Sequence, residues 1–571
     1  MRRTLWNRRV HEIAPDEIFL DSSNLPAHDA TQFEGRVALP LSGRAIIAVG
    51  LAFTLVVIAF GIRAFSLEVV DGNSYADISR NNTLDRTVVF ATRGLILDRN
   101  GRELAWNEMP GVSGDVAGVA SSTAYALRRY TELPGLAHIL GFIRYPKADA
   151  KGNWWREEFV GMSGSELAFN DVLRGVNGSS MVETDARRRV QRENIVSPPK
   201  HGTDLRLSVD ADVQSKLYTV LSANARAQQF QGGAAAIMDV RTGELLALTS
   251  FPEYNNRAFN DGNNTSVKAA LIDPRTPLLN RAIGGLYAPG SIVKPIFAAA
   301  ALNEGIISPE KKILSTGAIS LPNPYDPAHP SIFRDWTVHG WINLREAIAV
   351  SSDEYFYTIG GGYGSQPGLG IAKLDEYARL FGLGSTTKFA LPGEAAGVIP
   401  TPEWKARVFG ASDIWRVGNT YHTAIGQYGF QITPLQAVRY IAAIGNGGNL
   451  LTPTLLASST PESTSVGIPD SYLQIVREGM RLAVTSTRRD ATLNVFQIPG
   501  MQIAGKTGTA QIGAHNEWVN SWTVGFWPSD HPRYAFVVVF ERAPASTPSG
   551  AGHGILPFFQ WLVATHPEYV Q

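Results

Sequence analysis

Pro289-Gly290-Ser291-Ile292-Val293-Lys294-Pro295-Ile296-Phe297-Ala298-Ala299-Ala300-Ala301-Leu302 passes from a sharp turn into a helix within a few residues. Pro289-Gly290 supplies the turn, and Pro295 falls in the first helical turn, where a missing N–H costs little. The apolar run from Ile296 to Leu302 predicts a buried helix that stops at Glu304-Gly305. Ser291 and Lys294 stand three apart, which on a helix puts a hydroxyl and an amine on one face, one turn apart. A buried helix with a nucleophile at its N-terminus suits acyl transfer, because its free N–H groups help to hold an oxyanion. An ordinary Ser-capped core helix reads equally well from this segment alone.

Context chooses among repeats of the pattern. Ser-x-x-Lys occurs at Ser197/Lys200, Ser291/Lys294, Ser308/Lys311 and Ser385/Lys388. Two prolines bar the first from a helix interior, Pro309 marks the third as a helix cap, and Gly384 with Thr386 and Thr387 reads as a turn or the start of a strand. Ser291 is left as the candidate nucleophile. After 60 residues comes Ser351-Ser352-Asp353, just before Tyr355-Phe356-Tyr357, and after a further 155 comes Lys506-Thr507-Gly508-Thr509, continuing an apolar strand from Met501 to Ala504. Ser-x-x-Lys, then Ser-x-Asn, then Lys-Thr-Gly is the motif order of penicillin-binding proteins and serine β-lactamases. The wide separations suit a large transpeptidase domain rather than a compact β-lactamase.

Outward from the motifs, a helix is expected from Asp212 to Ala227, followed by a hairpin of Ala234–Asp239 and Glu244–Ser250 turning at Arg241-Thr242-Gly243. Further strands are expected at Trp522–Trp527 and Tyr534–Phe540, with helices between the strand groups. That alternation predicts an antiparallel sheet covered by helices, an α+β or α/β layered fold. Val196-Ser197-Pro198-Pro199-Lys200-His201-Gly202 reads as a linker. Before it, Asn100-Gly101 between two apolar runs predicts a β-hairpin in a β-rich segment, and Arg187-Arg188-Arg189 reads as a solvated strand end.

Ala45 to Ile62 is eighteen residues without a charge, bracketed by Arg44 and Arg63. At about 1.5 Å per residue it spans roughly 27 Å, close to a bilayer core, and both arginines can snorkel to the interfaces. The basic residues before it favour an inside N-terminus. The domains expected are a cytoplasmic tail over 1–44, an anchor over 45–66, a pedestal over 67–203 and a transpeptidase domain over 204–571. Lys plus Arg and Asp plus Glu each number 51 in the 571 residues, so no broad cationic surface calls for nucleic acid. The absence of cysteine excludes disulfides and thiolate metal sites.

The chain resembles the class B penicillin-binding proteins from the anchor to near the C-terminus. Arg93-Gly94 and Asp98-Arg99-Asn100-Gly101 look like that family's pedestal signature. Asn280-Arg281-Ala282, Gly426-Gln427, Thr433-Pro434-Leu435-Gln436, Asn446-Gly447-Gly448 and Ala504-Gly505 resemble its other signatures. Two positions depart from it: Asp353 stands where asparagine is usual, and Tyr428 where glycine usually follows the glutamine. The aspartate, with Phe333-Arg334-Asp335-Trp336 and His339-Gly340, looks like the elongation type, penicillin-binding protein 2.

The resemblance implies a peptidoglycan D,D-transpeptidase that acylates itself on a D-Ala-D-Ala stem peptide, is a target of β-lactams and needs no cofactor. It implies that Lys294 takes the proton from Ser291 and that Ser351 relays it to the leaving D-alanine. The backbone N–H groups of Ser291 and Thr509 would form the oxyanion hole. Asp353, Thr507, Gly508 and Thr509 would bind substrate, with Thr507 and Thr509 holding its carboxylate beside Lys506. A lysine base needs surroundings that favour the neutral amine, and burial beside a second cation, Lys506, would supply them. The partners implied are the membrane and a RodA-type glycan polymerase of an elongation complex; Ala45, Ala48, Ala52 and Ala59 would let that polymerase approach the anchor closely. The catalytic domain would lie on the periplasmic or extracellular side of the cytoplasmic membrane. A D,D-carboxypeptidase or β-lactamase-like hydrolase would use the same residues, and a non-catalytic muropeptide or β-lactam sensor would use only the binding site. A glycosyltransferase is not expected, and His339 with Asp335 reads as local structure rather than a metal site.

Overall fold

A computed structural model describes residues 43–75, 84–109, 125–150, 153–184, 190–323, 326–547 and 550–570. The tail over 1–42 and Arg187-Arg188-Arg189 fall outside these residues. The chain divides into two compact units, Met1–Asp85 with Val182–Arg192, and Arg86–Met181 with Glu193–Gln571. In the first, α1 (Gly43–Phe65) continues through a π-helical turn at Ser66–Val70. The stretch Ile46–Val70 is long and apolar enough to cross a membrane, and none of it is buried against protein.

The second unit opens with a four-stranded sheet of β1 (Ile96–Leu97), β2 (Glu103–Glu108), β3 (Leu127–Tyr130) and β4 (Leu205–Arg206), in the order β4-β1-β2-β3. The Asn100-Gly101 hairpin forms as the sequence predicts, joining β1 to β2. β4, from beyond the proline linker, pairs in parallel with β1. Asp98 caps the hairpin by accepting from the N–H groups of Asn100 and Arg102, each at 2.8 Å. Asn100 reaches Asp210 at 2.9 Å, so the hairpin is fastened to the start of the following helix. Arg93 and Arg128 both clasp the fully buried Glu166. Burial pushes that carboxyl up, but the two guanidiniums outweigh it and hold it below the usual range.

The rest of the unit comprises α2 (Ala211–Ala227), β5 (Gly232–Asp239), β6 (Leu245–Phe251), α3 (Lys294–Asn303), α4 (Leu344–Val350), α5 (Asp353–Gly361), α6 (Pro402–Phe409), α7 (Val417–Ala424), α8 (Pro434–Gly445), α9 (Asp470–Thr485), β7 (Ala504–Ile512), β8 (Trp518–Trp527), β9 (Tyr534–Pro544) and α10 (Ala551–Thr565). The five long strands form one antiparallel sheet in the order β6-β5-β9-β8-β7. Period-two alternation sends Ala234, Ala236, Val537 and Val539 into a core with α3 and α8. It sends Ala235, Ile237, Phe536 and Val538 into a second core with α2 and α10. The sheet is therefore buried on both faces, which explains why its strands read as continuous apolar runs rather than alternating ones.

Two local expectations are corrected. The strand expected from Met501 begins only at Ala504, and it continues through Lys506 to Thr509 as the sequence predicts. Met501 bridges back to Ile498 around Pro499-Gly500, so pairing with β8 cannot start earlier. Ser308 opens a turn closed by Lys311 N–H on its carbonyl at 3.2 Å, not a helix.

Candidate active site

Ser291 occupies a 3₁₀ turn, Gly290–Val293, that feeds directly into α3, and Pro295 stands in the first turn of that helix. The turn lies against β7, the edge strand, whose outer backbone groups no further strand among the described residues pairs. Gly290 takes a left-handed φ of 57°, and a Cβ there would meet the Thr509 carbonyl oxygen at 2.8 Å. A Cβ on Gly508 would meet the Pro289 carbonyl oxygen, also at 2.8 Å. Both positions need glycine because backbone lies directly on backbone. The Gly290 N–H donates to Gly426 O at 3.0 Å, so the Gly426-Gln427 segment supports the turn from its other side.

Ser351 and Asp353 arrive from the junction of α4 and α5. Ser351 ends α4 in the left-handed region, φ 59° and ψ 35°, a strained placement for a residue with a side chain. Lys506 donates to Ser351 Oγ at 2.6 Å and to its own neighbour's carbonyl, Thr507 O, at 2.8 Å. Lys294 donates to Ser351 O at 2.7 Å and to Asp353 Oδ1 at 2.6 Å, with its ammonium 5.3 Å from the Phe356 ring centroid. Each nitrogen makes two such bonds, so each lysine keeps its third position for a further partner. Both lysines are fully buried. Burial, and then the Lys294 charge, push the Lys506 amine well below its ordinary value, against the opposing pull of Asp353.

A second network, which the sequence did not reveal, holds this junction. Asp335 accepts from Ser352 Oγ at 2.7 Å and from the Glu354 N–H at 2.9 Å, capping α5. Behind it, His339 Nε2 lies 3.5 Å from Asp335 Oδ1, and Nδ1 lies 2.8 Å from Asp490 Oδ2. Arg488 completes the chain at 2.7 Å from Asp490. Burial pushes Asp335 up, but His339, Lys294 and the Glu354 and Ser352 donors bring it down to about 2. Arg334-Asp335-Trp336 was visible as a motif; Asp490 carried no signal, because its partner is 151 residues away.

Every residue expected in the site thus gathers at one place. Ser291, Ser351, Asp353, Thr507, Gly508 and Thr509 line a single cleft of about 990 Å³, with Lys294 and Lys506 beneath its floor. The other Ser-x-x-Lys pairs, at Ser197, Ser308 and Ser385, line no part of it.

Residues 233–554 match the family model described as the penicillin binding protein transpeptidase domain, and residues 112–207 match the penicillin-binding protein dimerisation domain. The chain belongs to the penicillin-binding transpeptidase family. Within it, this penicillin-binding protein groups with the class B members of the elongation type. It is 33% identical over 436 residues to the peptidoglycan D,D-transpeptidase MrdA of Acinetobacter baumannii, a match covering 71% of this chain and 62% of that protein. Penicillin-binding protein 2 of Helicobacter pylori, solved in complex with MreC, superposes with a TM-score of 0.68 at 26% identity, over 85% of this chain and 99% of that one. A chain from a peptidoglycan synthase complex, solved to describe how polymerization and crosslinking are coordinated, gives 0.68 at 28% identity over 91% and 98%.

Proposed function

We propose that this penicillin-binding protein is a membrane-anchored peptidoglycan D,D-transpeptidase that cross-links the wall during elongation, with Ser291 as its nucleophile. The observation that carries the reading is the convergence of Ser291 with Lys294, of Ser351 and of Lys506 on one cleft from three separate segments.

In this mechanism Ser291 Oγ attacks the carbonyl carbon of the penultimate D-alanine while Lys294 takes its proton. The oxygen that gains charge is held by the backbone N–H groups of Ser291 and Thr509, which the close packing of Gly290 on β7 brings together. Collapse of the tetrahedral intermediate expels the terminal D-alanine. Ser351, hydrogen-bonded to Lys506, returns a proton to the departing amine. Thr507 and Thr509 bind the substrate carboxylate beside Lys506, and Asp353 and Gly508 complete the substrate site. An amine from a neighbouring strand then attacks the ester, forms the cross-link and frees Ser291.

The pedestal spans 67–203 and the transpeptidase domain 204–571, with an anchor over 45–66 and a cytoplasmic tail over 1–44. The catalytic part lies on the periplasmic or outer side. A RodA-type polymerase is the partner best suited to the anchor, whose small residues at 48, 52 and 59 permit close helix approach in lipid. Intact mass after exposure to penicillin, followed by peptide mapping, tests the acyl-enzyme: the adduct is expected on Ser291, and one on Ser197, Ser308 or Ser385 overturns the assignment. Product analysis with and without an acceptor amine then separates cross-linking from hydrolysis.

A further inference from the structure

Phe333, Asp353 and Tyr357 share the cleft with a titratable side chain that the three motifs leave unused. His422, on α7, lines the same cavity as Ser291 and Ser351, and among the described residues it is the only imidazole to do so. Its ring centroid lies 5.4 Å from that of Phe333 and 6.4 Å from that of Tyr357. Phe333 is itself pressed onto α7, since a Cβ at Gly418 would meet its ring at 2.7 Å. Backbone contacts lock this helix to the nucleophile. The His422 carbonyl accepts from the Gln427 N–H at 2.9 Å, and a Cβ on the preceding Gly426 would strike the Gly290 carbonyl, next to Ser291.

Among the described residues no hydrogen bond engages either ring nitrogen, and the charge that bears on the ring is that of Asp353. The other charged or titratable groups lining the cleft are Arg334, Asp335, Tyr357 and Tyr428. Burial pushes the His422 pKa below 6.5, against the opposing pull of Asp353. The ring is therefore mostly neutral at pH 7, and one of its nitrogens accepts a proton.

Proton balance leaves such a base a task, on the transpeptidase reading proposed above. In the first half of the reaction one proton leaves Ser291 through Lys294 and one reaches the departing D-alanine through Ser351. The motif residues thus enter the second half as they entered the first, able to pass one proton from an incoming amine to the Ser291 oxygen as the ester C–O bond breaks. An acceptor amine with an ordinary pKa of about 10.4 arrives as an ammonium, neutral only about once in a few thousand molecules at pH 7. It carries one proton more than the motif residues can pass on, and that proton must go before the nitrogen has a lone pair with which to attack. We propose that His422 is a further catalytic residue, the base that takes this surplus proton from the acceptor ammonium. The freed lone pair forms the C–N bond to the acyl carbon, a second N–H proton passes to Ser291 Oγ, and the imidazolium returns the first proton to water.

The test uses the full-length protein in detergent, acylated by a soluble pentapeptide ending in D-Ala-D-Ala, and measures the ratio of transfer to hydrolysis at pH 7. That ratio does not depend on the rate of acylation. Two acceptors are compared: Nα-acetyl-lysine, an ammonium at this pH, and methoxyamine, which is already unprotonated and needs no such base. His422→Gln should lower the ratio with Nα-acetyl-lysine by at least about a hundredfold, as for a lost general base, and change that with methoxyamine by less than about threefold. An equal loss with both acceptors would make His422 part of the wall only, and overturns the proposal, as does an unchanged ratio with Nα-acetyl-lysine. If His422→Gln fails to fold, His422→Asn carries the same comparison. Penicillin acylation of the unmutated protein keeps the two readings apart: without an adduct the transpeptidase reading fails, whereas an adduct with transfer indifferent to His422 sinks only the base.

Discussion

Lys294 Nζ lies 2.6 Å from Asp353 Oδ1, so the residue that departs from the usual asparagine makes a partly buried ion pair with the candidate base. Asp353→Asn removes that charge, which is also the one pull raising Lys506. The acid limb of the penicillin acylation profile should move to lower pH and the plateau rate should fall about tenfold. A limb that stays in place would mean that Asp353 is not coupled to the lysine pair.

Ser291→Ala should abolish the penicillin adduct, and Lys294→Ala should slow acylation by at least about a hundredfold, as for a lost general base. Stopped-flow acylation with a reporter β-lactam measures both. An adduct that persists in Ser291→Ala places the nucleophile elsewhere.

Lys506 sits buried with its amine pushed well below the ordinary 10.5, so near neutral pH its burial costs stability. Below 10.5 the unfolded chain binds the extra proton, and the cost disappears as pH rises through that value. Lys506→Met should therefore raise the Tm by a few degrees at pH 7, less at pH 9.5, while acylation falls. Melting curves at the two pH values read the difference, and a gain that grows with pH contradicts the sign.

His339 is faced by Asp335, Asp490 and Arg488. Burial lowers its pKa, but the two carboxylates outweigh that and leave it raised above 6.5. Its stabilising contribution is complete below 6.5 and lost as pH rises through the raised value. His339→Gln should cost about 1–3 kcal/mol near pH 6 and less near pH 9. Denaturant unfolding at both pH values tests this; an equal cost at both would leave the imidazolium without a role.

Glu166→Gln in the pedestal should destabilise by about 3–5 kcal/mol, because Arg93 and Arg128 would remain buried without their counter-charge. Calorimetry checks it, and a loss below about 1 kcal/mol would mean that water reaches the pair.

The three motifs, their order and the apolar span before Arg63 were legible in the sequence because each is local. Ser291 and Lys294 share a helical turn, Lys506 to Thr509 share a strand, and eighteen uncharged residues declare themselves without any partner. Local pattern also predicted the Asn100-Gly101 hairpin and the sheet-and-helix layering. It could not place the start of β7, which pairing with β8 decides. Nor could it disclose contacts between distant residues: Lys506 with Ser351, His339 with Asp490, or Tyr428 with Trp415. The sequence by itself determined which residues stand as candidates for the chemistry. Tertiary structure alone decided their spacing, which lysine burial drives toward the neutral form, and which further residues line the cleft, since charge, burial and cavity shape depend on residues brought together only by folding.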